Sequence, residues 1–230
     1  MKKLTLSLIC LLATLTVFAN NGNLVSNEGK YKKAQLANEG KYKKAMKANL
    51  DKLKSAKSMA DMQQVANQFE RIAGAEKSKW LPNYYAAYTY IRMTNFEKDG
   101  VKKDQLLDKA EAFLKTANKQ QPNNSEIVAL EAYLAMSRLV VNPMARGQQY
   151  SGIVFAKAGK AKALNPKNPR PYFLEGALKL NMPPAFGGGK DAACGLFKKA
   201  AANYDTFKPA NELMPNWGKG SNAKMMKKCE

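Results

Sequence analysis

One short pattern recurs along this chain and constrains its fold more than any other feature. In residues 110–122, AEAFLKTANKQQP, Ala110, Leu114, Ala117 and Pro122 stand in the order small, bulky, small, proline. On a helix these first three positions are four and three apart and share one face. Small residues there let a neighbouring helix approach closely, and Leu114 fills the space between them. Proline has no N–H to donate and suits the turn beyond a helix. The pattern returns as Val154, Ala158, Ala161 and Pro166, and as Ala193, Phe197 and Ala200. It reads as the second helix of a helix–turn–helix repeat.

The spacing supports an array. The second small residue falls at Ala73, Ala117, Ala161 and Ala200, which are 44, 44 and 39 residues apart. The preceding helices align on Ala87, Ala132 and Gly176, small enough to let helix axes come within about 8 Å. Eight helices are expected, and no stretch reads as a strand. Ser58 with Asp61 forms a capping-box start, Asn123-Asn124-Ser125 and Asn168-Pro169 open later helices, and Asn142-Pro143 breaks the chain between two of them. Gly147, Gly152 and Gly159 weaken the helical signal of residues 146–164.

The N-terminal 19 residues have the shape of a secretory signal: Lys2 and Lys3, an apolar run over 4–18, and a small-residue cleavage site ending at Ala19. The run is too short for a membrane anchor, and Ile9 before Cys10 argues against a lipoprotein. Cleavage after Ala19 would deliver the chain to an oxidising compartment, most simply the periplasm. No later stretch is apolar enough to span a membrane.

Residues 27–48 hold an eleven-residue duplication, NEGKYKKAQLA followed by NEGKYKKAMKA. Eleven residues make close to three helical turns, so Tyr31, Tyr42 and Leu53 would share a stripe. This Lys-rich leading helix, 20–57, reads first as a solvated helix, second as a basic arm for an anionic surface or acidic partner, and third as a copy without a role. The repeat domain would follow over 58–204, and a capping tail over 205–230.

Charge is lopsided, with 38 Lys+Arg against 18 Asp+Glu, yet only five of the basic residues are Arg. Lysine excess reads first as solvated surface and second as a face for a polyanion, such as an anionic component of the cell envelope. Scarce Arg, the absence of a recognised module and the export signal argue against nucleic acid. Histidine is absent altogether. That removes the usual general base, the usual zinc ligand and every His-dependent triad. No catalytic, metal or cofactor residues are therefore assigned, and the chain reads as a binder and not an enzyme.

The helix pairs resemble the tetratricopeptide repeat family, which joins a first helix bearing an aromatic and a Gly/Ala to a second bearing Ala, a large residue, Ala and a closing Pro. Tyr172 and Gly176 match the first part, and Ala110, Leu114, Ala117 and Pro122 the second. The family period is about 34 residues, so these units are longer, and Glu175 stands where an apolar residue is usual. The segments FERIAGAEKSKWLPNYYAAY and PAFGGGK…LFKKA are also similar to exported repeat proteins of Bacteroidetes-type bacteria without assigned activity. A weaker likeness, to periplasmic repeat subunits of solute transporters, rests on the Gly-rich loop alone. The resemblance implies an all-α solenoid of three to four helix pairs, whose first helices line a concave groove that holds a protein or peptide. Tyr84, Tyr88, Arg92, Glu126, Tyr133, Arg170 and Phe173 are the expected groove residues. The competing reading makes the tyrosine stripe core, with hydroxyls at its rim.

Gly187-Gly188-Gly189-Lys190 is not a phosphate loop, since Pro184 and Asp191 occupy positions that require Gly and Ser/Thr. It reads as a flexible turn that could form the rim of a binding site. Cys194 and Cys229 are the two cysteines of the mature chain; paired, they would tie the tail to the last helix, and the alternative is a buried Cys194 beside a free Cys229. Trp217 is expected to pack the tail against the end of the stack.

Overall fold

The computed structural model describes residues 21–230, with side chains from residue 35 onward; the signal segment and its cleavage site at Ala19 lie outside the described residues. Two compact units are present, Met1–Gly40 and Lys41–Glu230. In the first, residues 21–40 are helical, and Gln35, Leu36, Ala37 and Asn38 are exposed.

The described chain is all helical: α1 (Asn21–Ser55), α2 (Met59–Ala75), α3 (Trp80–Met93), α4 (Gly100–Gln120), α5 (Ser125–Val141), α6 (Pro143–Leu164), α7 (Pro169–Leu180), α8 (Lys190–Thr206) and α9 (Lys219–Met226), with short 3-10 turns at Pro184–Phe186 and Lys227–Cys229. From α2 to α8 each helix packs on the next, and α3, α5 and α7 also touch in succession, giving a solenoid-like array of helix pairs. The ninth helix lies in what sequence alone left as a tail.

The small-residue frame is the packing frame. Ala110, Ala117, Ala158, Ala161, Ala193 and Ala200 are fully buried, as are Leu114, Val154 and Phe197 between them. At Gly176 a Cβ would come within 2.8 Å of the Phe197 ring, so only glycine lets α7 approach α8 this closely. Helix α3 is apolar nearly all round and therefore central: Leu81, Tyr84, Tyr85, Ala86, Ala87, Tyr90 and Ile91 are buried among α2, α4 and the second half of α1. That half of α1 buries Tyr42, Met46, Asn49 and Leu53 on one stripe, and Asn49 donates to the Val65 carbonyl at 3.0 Å.

Caps set the helix ends. Ser58 and Asp61 complete a capping box. Asn142 closes α5 and also caps α6, accepting from Ala145 N–H, with Pro143 in the first turn. The expected break is thus a one-residue corner, and α6 begins three residues earlier than its pattern suggested. Asn168 caps α7 and donates to Ser125 Oγ, which donates to the Ala161 carbonyl; this buried chain joins α5, α6 and α7.

Candidate ligand pocket

The N-terminal half of α6 has no fully buried residue: those of the helix are Val154, Ala158 and Ala161, and Tyr150 and Ile153 pack partly buried against the cluster of Ala135, Val154 and Leu178. Gly147, Gln148, Ser151, Gly152 and Phe155 lie on one face of this overhang, at helical spacing. With two glycines and a serine there, Phe155 is the one large side chain of this face that reaches α7, and a Cβ on Gly147 or Gly152 would meet nothing within 4 Å. The result is a cavity of about 980 Å³. Its other walls are Met136, Leu139 and Val140 from the end of α5, Ala177, Leu178 and Asn181 from the end of α7, and Met182, Pro183 and Phe186 from the turn after α7. From this turn Met182, Pro183 and Phe186 line the cavity, and Gly187, Gly188 and Gly189 follow outside the lining. Gly187 and Gly189 take positive φ there, a backbone region that glycine enters freely.

The lining is almost entirely apolar, with the amides of Gln148 and Asn181 and the Ser151 hydroxyl as its side-chain hydrogen-bonding groups. One cation stands at the edge: Lys179 Nζ lies 5.7 Å from the Phe155 ring centre and donates to the Gly187 carbonyl at 3.1 Å. The α5–α6 corner is braced from outside. Arg146 forks onto Asp104 at 2.7 and 2.8 Å, and Arg138 reaches Asp108 and Glu111. Arg146 holds the Asp104 carboxyl below its ordinary range.

The seven groove residues expected from sequence lie elsewhere, where α3, α5 and α7 converge. Tyr88 stacks on Trp217 with ring centres 5.3 Å apart, and Tyr133 lies 5.6 Å from the same ring. Tyr84 is fully buried and accepts from Trp217 Nε1 at 2.7 Å. Arg92 donates to the Leu53 carbonyl at 3.3 Å, and Phe173 packs against Phe197 in the core. Arg170 is fully buried; it pairs with Glu126 at 2.8 Å, donates to the Pro215 carbonyl, and sits between the Phe207 and Trp217 rings. Burial drives the Glu126 pKa up to about 7 against the opposing pull of Arg170. Burial likewise raises the phenols of Tyr84, Tyr88 and Tyr133. Trp217 thus fills the first-helix face and does not cap the end of the stack. The end is covered by α9 and the last 3-10 turn, which pack on α8 and are tied there by the Cys194–Cys229 disulfide.

Sequence reasoning missed the pocket. Its available signal was the pair Gly147 and Gly152 inside an otherwise helical stretch, followed by the Gly-rich turn. Among the described residues no group of His, Cys, Asp and Glu is arranged to hold a metal ion, and no helix is long and apolar enough to cross a membrane.

No family model matches the chain, and no curated protein does. A solved structure does: the HusA haemophore from Porphyromonas gingivalis is similar over 82% of this chain and 92% of its own, with 32% sequence identity and a TM-score of 0.73. The chain belongs to the family of that haemophore. The match comes from a Bacteroidetes bacterium, the group to which the sequence resemblance pointed. It supports a binding protein, with the tetratricopeptide likeness remaining a resemblance of helix pairs.

Proposed function

We propose that this chain is an exported, non-enzymatic carrier of haem or a closely related porphyrin, held in the pocket between α5, α6 and α7. The observation that carries the reading is the 32% identity to a haemophore across nearly its whole length. The cavity suits it, since about 980 Å³ lies at the upper end of the usual ligand-pocket range of roughly 300–1,000 Å³. A flat macrocycle can lie against the bare glycine face of α6 and bury its apolar surface, which is favourable without directional bonds. Lys179 at the rim offers a charge partner for a carboxylate of the ligand. The secretory signal and the disulfide support export.

The donor set shapes the mechanism. Haem iron is usually held by His, Cys or Tyr, or by Met paired with His. The chain has no His, and the lining offers only the thioethers of Met136 and Met182. Recognition would then rest on the macrocycle and not on the iron.

Titration of the mature chain with haem and with metal-free protoporphyrin tests this. Saturable one-to-one binding of both, within about tenfold of each other, is the expected result. Gly152→Phe should lower both affinities tenfold or more while leaving the helical fold intact, because its side chain points into open space. Absence of binding, or binding indifferent to Gly152→Phe, would overturn the assignment.

A further inference from the structure

The two edges of the helix array show different surfaces to solvent. Within each helix pair the turn follows the C-terminal end of α3, α5 or α7, and these three helices touch in succession. Their turns therefore share one edge. At Gly100 a Cβ would lie 3.5 Å from Val141 Cγ1, so the start of α4 sits against the end of α5. Val140 lines the large pocket together with Pro143 and Phe186. It also lines a smaller hollow of about 400 Å³ with Asn95, Glu97 and Lys103. The edge is thus continuous across all three pairs, and the pocket opens on it.

Seven large apolar residues are exposed among the described residues, and five of them stand on this edge: Phe96, Val101, Val140, Met144 and Phe186. Met144 is 99% exposed, Phe186 75%, Val101 68% and Val140 62%, so these are projecting side chains and not the margin of a core. The opposite turns carry Asn123, Asn124, Asn165 and Asn168, and the exposed apolar residue there is Leu164, at 37%. An apolar cluster left in water on one side of a molecule marks an interaction surface. Lys98, Lys102 and Lys190 are exposed beside it. Three carboxylates of the edge are engaged: Glu97 accepts from the Lys98 and Asp99 N–H groups, Asp99 from the Lys102 N–H, and Asp104 from Arg146. Asp191 is the exposed acid that remains.

We propose that this edge docks on an anionic lipid surface, with the mouth of the pocket facing the bilayer. The apolar side chains stand singly on neighbouring helix pairs and not on one flat face. A bilayer accepts such separate insertions, and each gains by the burial of its apolar area. Lysine stems lie along that boundary with their ammonium groups at the lipid phosphates. The chain's 38 Lys+Arg against 18 Asp+Glu draw it to the same surface. The anionic envelope component considered from sequence thus takes its seat on this edge and not on the leading helix. The inference does not depend on which ligand the pocket holds.

The test is co-sedimentation of the full mature chain with vesicles of phosphatidylcholine alone and of about three parts phosphatidylcholine to one part phosphatidylglycerol. Wild-type protein should partition onto the anionic vesicles at least tenfold more strongly than onto the neutral ones. Val101→Ser/Met144→Ser keeps the charge and removes two insertions, and should lower that partition at least tenfold. Both residues are exposed, so serine leaves the fold intact, which helical content and thermal unfolding check. Neither lines the pocket, so the variant should bind haem in vesicle-free solution as wild type does. Failure of this inference is thereby distinguished from failure of the pocket assignment. Leu164→Ser, on the opposite edge, should leave the partition unchanged. No binding to anionic vesicles, equal binding to neutral ones, or binding that Val101→Ser/Met144→Ser retains or Leu164→Ser loses equally overturns the inference. Self-association of wild type that the double variant abolishes, without vesicle binding, assigns the edge to a second copy and overturns it too.

Discussion

Glu126 and Gly176 show how single residues carry this structure. Glu126 is buried beside Arg170, and its carboxyl is pushed up to about 7, chiefly by burial. A carboxyl raised in the folded state binds more protons there than when unfolded. Its contribution to stability is therefore complete below its ordinary pKa and is lost as pH rises through about 7. Thermal unfolding measured from pH 4.5 to 8 should show this decline, and Glu126→Gln should flatten it. Gly176→Ala would push a methyl into the Phe197 ring and should cost about 1–3 kcal/mol in denaturant unfolding. Its neighbour Glu175, which departs from the tetratricopeptide pattern the helix pairs resemble, is accounted for by Lys162, whose ammonium lies 2.5 Å from its carboxylate. That pairing needs α6 and α7 side by side, so the sequence shows the departure and not its reason.

Helix α6 is the element on which the pocket depends. Its C-terminal half follows the small–bulky–small rule and buries Val154, Ala158 and Ala161; its N-terminal half packs Tyr150 and Ile153 partly buried on one side and keeps a bare glycine face on the other. Gly147 and Gly152 each cost roughly 1 kcal/mol of helix stability relative to alanine. Gly147→Ala and Gly152→Ala should therefore raise stability by up to that amount each, since neither methyl meets an obstacle. Larger side chains at 152 should instead block the ligand. Lys179→Glu should weaken a carboxylate-bearing porphyrin about fivefold, on the order of 1 kcal/mol for an exposed pair, and the difference should shrink at high salt. On α4, Asp104, Asp108 and Glu111 share a face at helical spacing and receive Arg138 and Arg146. Three of the five arginines, these two and Arg170, form ion pairs that join one helix to another.

Across the whole molecule, the tail is tied to α8 as the two cysteines allowed, and its ninth helix and the seat of Trp217 on the first-helix face were not announced by any local signal. The disulfide closes a loop of 35 residues, for which the chain-entropy account gives roughly 4 kcal/mol as an upper figure. Cys194→Ser/Cys229→Ser should lower the unfolding free energy by about 2–4 kcal/mol. The helix pairs, their alternation of close and filled positions, the capping residues and the absence of histidine chemistry were all legible in the sequence. Each depends on residues within a turn or two of one another, or on composition. The pocket and the filled first-helix face were not. The pocket is made by side chains that are missing from α6 and becomes a cavity only once α5, α7 and the Gly-rich turn surround it. The face is filled through contacts such as Trp217 with Tyr84, 133 residues apart, and periodicity carries no information at that range. Local sequence determined which surfaces would be apolar and close-packed; tertiary structure decided which were closed by a neighbouring helix, which by the tail, and which stayed open.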